Sequence, residues 1–160
     1  MASVVKIYYE DMKLMEEYFE NNGKKEGEYK EYYRSGQLYQ VSNYVNGIKE
    51  GECRQYHENG ELREIYSYTN GKIEGGYKLY YVNRQLEENF RCVEGQADGK
   101  FESYHENGQL NSICNYIRGK KDGEYRRYNE NGELVVTCYY IDGVYCTDEA
   151  VEKKIDLFIV

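Results

Sequence analysis

The hydrophobic and polar positions of this chain recur every 24 residues between Gly27 and Gly143. Tyr32, Tyr56, Tyr80, Tyr104 and Tyr128 form one column without exception, and Leu38, Leu62, Leu86, Leu110 and Leu134 form another. Two further columns hold only aromatic residues or cysteine: Tyr29, Cys53, Tyr77, Phe101 and Tyr125, then Tyr44, Tyr68, Cys92, Tyr116 and Tyr140. Glycine keeps the same register at Gly27, Gly51, Gly75, Gly99 and Gly123, and again at Gly23, Gly47, Gly71, Gly95, Gly119 and Gly143. A fixed period of this length marks a stacked repeat protein, in which one unit alone cannot bury its apolar surface. Within a unit, Gly27 to Tyr33 reads as a strand, Arg34 to Gly36 as a turn and Leu38 to Val45 as a second strand, with Asn46 to Gly51 leading onward. The predicted unit is a β-hairpin.

Composition supports this. The chain holds 21 Tyr and 16 Gly but no Trp or Pro, which suits short strands and tight turns. Asn-Gly, the strongest short hairpin signal because both residues accept positive φ, occurs at Asn22-Gly23, Asn46-Gly47, Asn59-Gly60, Asn70-Gly71, Asn107-Gly108 and Asn131-Gly132. Stepping back one period from Tyr32, Leu38 and Gly47 lands on Tyr8, Leu14 and Gly23. Residues 1–26 therefore read as a degenerate N-terminal repeat and cap, 27–146 as five repeats, and 147–160, which match no column, as a C-terminal cap. The expected fold is all-β, a sheet of consecutive stacked hairpins. On the second strand, Leu38, Ser42 and Tyr44 are expected on one face and Val41 and Val45 on the other. Tyr29 and Tyr32, three residues apart, should face opposite ways, which leaves one aromatic ladder partly in water. The third unit departs at Arg84, where the turn glycine is missing, and at Asn89 in a column of Val41, Ile65, Ile113 and Thr137. Local irregularity of the sheet is expected there.

Candidate chemistry is thin. YHENG occurs at Tyr56 to Gly60 and at Tyr104 to Gly108, and imidazole beside carboxylate suggests proton transfer or zinc. The histidine column, however, reads Tyr33, His57, Tyr81, His105 and Asn129, and no chemistry survives that substitution. Four strands at about 4.8 Å place the two histidines roughly 19 Å apart, too far to share an ion. Neither a catalytic residue, a metal site nor a cofactor is expected. The five cysteines form no C-x-x-C, and Cys114 and Cys138 should lie about 9.6 Å apart, beyond the roughly 7 Å a disulfide allows. They read as small hydrophobes of a reducing, cytoplasmic compartment.

With 21 basic and 29 acidic residues the net charge is −8, which disfavours nucleic acid and anionic lipid. Lys24, Lys25, Lys49, Lys72, Lys120 and Lys121 on one turn edge are expected to be neutralised by Glu26, Glu50, Glu74, Asp98 and Asp122.

The unit GEYKEYYRSGQLYQVSNYVNGIKE resembles the MORN repeat, with its Gly-x-Tyr, paired aromatics and Asn-Gly turns. It is especially similar to the variant repeat of bacterial YwqK-type, antitoxin-like proteins, a variant abundant in giant viruses. The resemblance covers residues 27–146, and weakly 3–26. It implies an elongated single-layer antiparallel sheet of these consecutive hairpins. The repetition, without a unique converging constellation, points to a non-enzymatic scaffold binding a protein partner through one sheet face, and the residues proposed for that role are Tyr32, Tyr56, Tyr80, Tyr104 and Tyr128. An antitoxin or immunity-like protein is the first alternative, its acidic edge of Glu58, Glu61, Glu106, Glu130 and Glu133 masking a basic toxin. A homo-oligomeric assembly built through open sheet ends is the second.

Overall fold

The computed structural model describes residues 2–146, so the cap expected at 147–160 lies outside the described residues. The first hairpin joins β1 (Ser3–Tyr8) to β2 (Leu14–Asn21), and the second joins β3 (Lys24–Tyr32) to β4 (Leu38–Val45). The next three repeat a pattern of a two-residue strand, a six-residue strand and an eight-residue strand. These are β5 (Ile48–Lys49), β6 (Gly51–Tyr56) and β7 (Leu62–Thr69); β8 (Lys72–Ile73), β9 (Gly75–Tyr80) and β10 (Leu86–Val93); and β11 (Gln96–Ala97), β12 (Gly99–Tyr104) and β13 (Leu110–Ile117). The described chain finishes with β14 (Lys120–Lys121), β15 (Gly123–Tyr128), β16 (Leu134–Ile141) and β17 (Val144–Cys146). Pairing is antiparallel throughout and joins consecutive strands, with β4, β7, β10 and β13 each also pairing past a two-residue strand to β6, β9, β12 and β15, giving one open sheet of consecutive hairpins.

The two sheet edges carry different turns. Where one unit passes to the next, both central residues are left-handed, as at Asn46 (φ 53) and Gly47 (φ 83), which is the type I′ geometry that matches strand twist. At the opposite edge only the glycine is left-handed. There the Gly36 N–H donates to the Tyr33 carbonyl at 2.8 Å, and Gly36 takes φ 92 as the bulge residue after a type I turn. The Asn-Gly pairs at Asn59, Asn107 and Asn131 belong to this second class, and of each pair only the glycine uses the positive φ that both residues accept. Met12 (φ 64) and Arg84 (φ 70) stand in the glycine position. The third hairpin nevertheless keeps its pairing, with Asn89 opposite Lys78 on one side and Glu102 on the other. The irregularity expected there is absent, because the turn forms with arginine in the same conformation and Arg84 Nη2 holds Glu61 Oε1 at 2.6 Å.

Each hairpin also shifts register at one point. Glu31 faces Gln40 but Tyr32 faces Leu38, so Tyr39 is an extra, bulged residue. The bulge places Leu38 with Tyr32 and Val41, and this corrects the simple alternation that grouped Leu38 with Ser42 and Tyr44.

One face of the sheet is packed against itself. Tyr29, Cys53, Tyr66, Cys92 and Cys114 are buried there together with Gln40, Ser42 and Ser112. Rings follow one another across the strands from Tyr66 to Tyr77 (5.1 Å), Phe90 (4.6 Å), Phe101 (5.3 Å) and Tyr116 (5.4 Å). Lys25 Nζ lies 4.2 Å from the Tyr29 centroid and Lys121 Nζ 4.6 Å from that of Tyr125, so cations cover the ring clusters toward either end. Burial pushes the thiols of Cys53, Cys92 and Cys114 up, and they remain protonated, unreactive packing groups. No disulfide joins any of the five cysteines.

Candidate partner-binding face

The opposite face carries the five candidate tyrosines in a single row. Across each hairpin a tyrosine stands directly opposite a leucine: Tyr32 and Leu38, Tyr56 and Leu62, Tyr80 and Leu86, Tyr104 and Leu110, Tyr128 and Leu134. The tyrosines are all half-buried. Beside this ladder runs a row in which Lys6, Lys30, Arg54, Lys78, Glu102 and Arg126 are separated by Glu17, Val41, Ile65, Asn89 and Ile113. Most of its charges are paired along or across strands. Lys6 meets Glu17 at 3.0 Å, Lys30 meets Glu28 at 2.5 Å, and Arg54–Glu52, Lys100–Glu102 and Arg126–Glu124 each lie at 2.6 Å. Hydrogen bonding to its carboxylate raises Lys30, and Lys100 draws Glu102 below the usual glutamate value. The hydroxyls of Tyr32, Tyr56 and Tyr80 have no hydrogen-bond partner among the described residues, whereas on the packed face Tyr77 donates to Glu64 at 2.6 Å and Gln55 donates to Tyr66 at 3.2 Å.

Residues 25–46, 49–70, 97–118 and 121–142, together more than half of the chain, match the family model of the MORN repeat variant. The chain belongs to that family. Comparison with curated proteins gives no match. The third unit falls outside the matched stretches, yet its hairpin β9–β10 pairs as the other MORN units do. The repeat geometry therefore tolerates the substitutions that hide this unit from a sequence pattern.

The histidines act in holding MORN units together. His57 Nε2 lies 2.9 Å from the Tyr80 carbonyl oxygen, and His105 Nε2 lies 3.0 Å from that of Tyr128. Since a carbonyl only accepts, each Nε2 carries the proton. In the other units a tyrosine does the same: Tyr9 Oη donates to Tyr32, Tyr33 to Tyr56 and Tyr81 to Tyr104, at 2.7 to 2.8 Å. The column tolerates Tyr, His and Asn in the sequence, but in the sheet its bonded members share a long side chain ending in a donor. Asn129, the last member, bonds locally to Glu133 at 2.8 Å. His57→Ala is expected to cost about 1 kcal/mol, a typical net hydrogen bond, and His57→Tyr to restore it. Paired urea titrations measure both, and an alanine variant as stable as the tyrosine variant removes the clamp from the account.

The acidic column at the other edge is also structural. Glu26, Glu50, Glu74 and Asp98 accept the backbone N–H of the next unit's turn residue, Asn46, Asn70, Glu94 and Arg118, at 2.8 to 3.0 Å. Beside each, a turn glycine N–H reaches back to the preceding unit, as from Gly47 to the Lys25 carbonyl at 2.9 Å. These acids thus bond the backbone as well as lying along the lysine edge, where three of the lysines pair with other carboxylates. Lys25 pairs with Glu16 at 3.4 Å, Lys120 with Asp142 at 2.9 Å, and Lys72 with Glu94. On the edge that carries Glu58, Glu61, Glu106, Glu130 and Glu133, Glu61 is held by Arg84 and Glu133 by Asn129. Among the described residues no cluster of three His, Cys, Asp or Glu side chains is placed to hold a metal ion, and no helix is long and apolar enough to cross a membrane.

Proposed function

We propose that this MORN protein is a non-enzymatic scaffold whose Tyr–Leu face binds a protein partner. The observation that carries this reading is the row from Tyr32 to Tyr128, in which identical half-buried rings recur at every unit and Tyr32, Tyr56 and Tyr80 keep unengaged hydroxyls. Tyrosine gives large contact area at low conformational cost and a donor at its tip, which is why it is enriched at protein interfaces. The packed face offers less, since its rings are stacked on one another and several of its polar tips are engaged within the sheet. In extracts of the producing cell, wild-type bait and a Tyr56→Ala/Tyr80→Ala bait are expected to differ in one or more retained proteins, with that difference absent for a control at the exposed turn residue Ser35, Ser35→Ala. Identical captured sets from both baits, with both sheets folded by circular dichroism, would count against this face.

A further inference from the structure

The third MORN unit breaks the charge pattern of the proposed binding face at one place. Gly76 stands where the other units have Glu28, Glu52, Lys100 and Glu124, each of which pairs with a charge two residues on. Its strand neighbour Lys78 therefore lacks the carboxylate that Lys30, Arg54 and Arg126 possess, and Lys78 has no acidic partner among the described residues. Directly across from Gly76 lies Arg91, in a column that elsewhere holds Asn43, Ser67, Asn115 and Tyr139. Arg91 likewise has no acidic partner among the described residues, and both cations are exposed. A Cβ built on Gly76 meets nothing within 4 Å, so the missing side chain leaves an open notch, bordered by Glu52, Ile65, Ser67 and Lys78. Glu52 is already engaged by Arg54 at 2.6 Å. In a chain of net charge −8, two neighbouring uncompensated cations flanking an empty side-chain position are a local exception.

We propose that this notch receives the carboxylate of an aspartate or glutamate from the protein partner, supplying in trans the acid that the third unit lacks. The proposal rests on the reading of the Tyr–Leu face as the binding face, and it names the chemistry the partner must bring. Arginine offers a planar fork matched to a carboxylate and lysine a compact point charge, so the pair can hold one acid from two directions. A polypeptide is favoured over a lipid surface because Tyr80, opposite Leu86, adjoins Lys78 on the same face, while the cations of the neighbouring units are cancelled by their own acids. A membrane would need a basic field spread over many units, and this face provides it at one.

A displayed library of random 16-residue peptides, selected on the wild-type protein in low salt, tests this directly. Enrichment of peptides with a fixed Asp or Glu beside apolar residues is expected. A synthetic representative should lose at least about tenfold in affinity on Gly76→Glu, which refills the notch in cis, and on Lys78→Ser/Arg91→Asn, in line with removal of a paired charge. Gly76→Glu is not expected to disturb the fold, since the position is open and takes glutamate in three other units. Selection without acidic enrichment, or equal affinity for the Gly76→Glu protein, overturns the proposal, as does preferential binding to phosphatidylserine vesicles. If the peptide is lost on Gly76→Glu but unaffected by Tyr56→Ala/Tyr80→Ala, the notch stands and the Tyr–Leu face does not. If the tyrosine variant loses it and Gly76→Glu keeps it, the face stands and the notch falls.

Discussion

Tyr66→Ala is expected to lower the free energy of unfolding by about 3–5 kcal/mol, the range for removing a buried aromatic ring. The ring is 6% exposed although the sheet has only one layer, because its own face closes over it. Cys53 stands directly across the strand, Tyr77 stacks on it at 5.1 Å and Tyr68 meets it edge-on at 5.5 Å. Gln55 Nε2 donates to its hydroxyl at 3.2 Å, and burial pushes that hydroxyl well above the usual tyrosine range, so it stays neutral. Truncation leaves a void that flat neighbouring strands cannot close without breaking ladder hydrogen bonds. Because a stacked repeat is stabilised mainly by contacts between neighbouring units, the denaturation curve should also broaden, with a reduced m-value as the flanking units unfold apart. Tyr66→Phe keeps the ring and should cost only about 1 kcal/mol for the lost hydrogen bond. A Tyr66→Ala protein within 1 kcal/mol of wild type, by the linear-extrapolation yardstick, would show that this face is not the core.

Gly51→Val is expected to cost about 2–3 kcal/mol through the backbone alone. Gly51 lies at φ +81 after the one-residue break in which the Glu50 N–H donates to the Asn43 carbonyl at 2.9 Å. An added Cβ there meets nothing within 4 Å, so no clash enters the account. What remains is the left-handed conformation, which costs an ordinary side chain about 1–2 kcal/mol and a β-branched one more. Gly76→Val supplies the internal control: its Cβ site is equally open, but its φ is not left-handed, and valine favours strands. Thermal melts should show Gly51→Val falling by roughly 4–12 °C, given about 2–4 °C per kcal/mol for a chain of this size, with Gly76→Val unchanged or higher. Equal melting temperatures for the two variants would remove the left-handed glycine at the break from the set of features that hold the units in register.

The columns of Tyr32 and Leu38, the aromatic-or-thiol columns and the two glycine series were enough to place every hairpin, because side-chain alternation and left-handed turns are local demands that act through residue type. The face assignment of Leu38 was not legible. It depends on the bulge at Tyr39, whose equivalents Arg63, Glu87, Asn111 and Val135 share no chemistry, since the bulge is formed by the backbone and asks nothing of the side chain. The roles of His57 and Glu50 were hidden for a different reason. Their partners, the Tyr80 carbonyl and the Asn70 N–H, lie 23 and 20 residues on and are main-chain atoms common to every residue, so no pairing pattern in the sequence betrays them. The notch at Gly76 is intermediate. The missing glutamate is visible in its column, but that Arg91 faces it and that both cations go unpaired follows from cross-strand register, which only the stacked sheet decides.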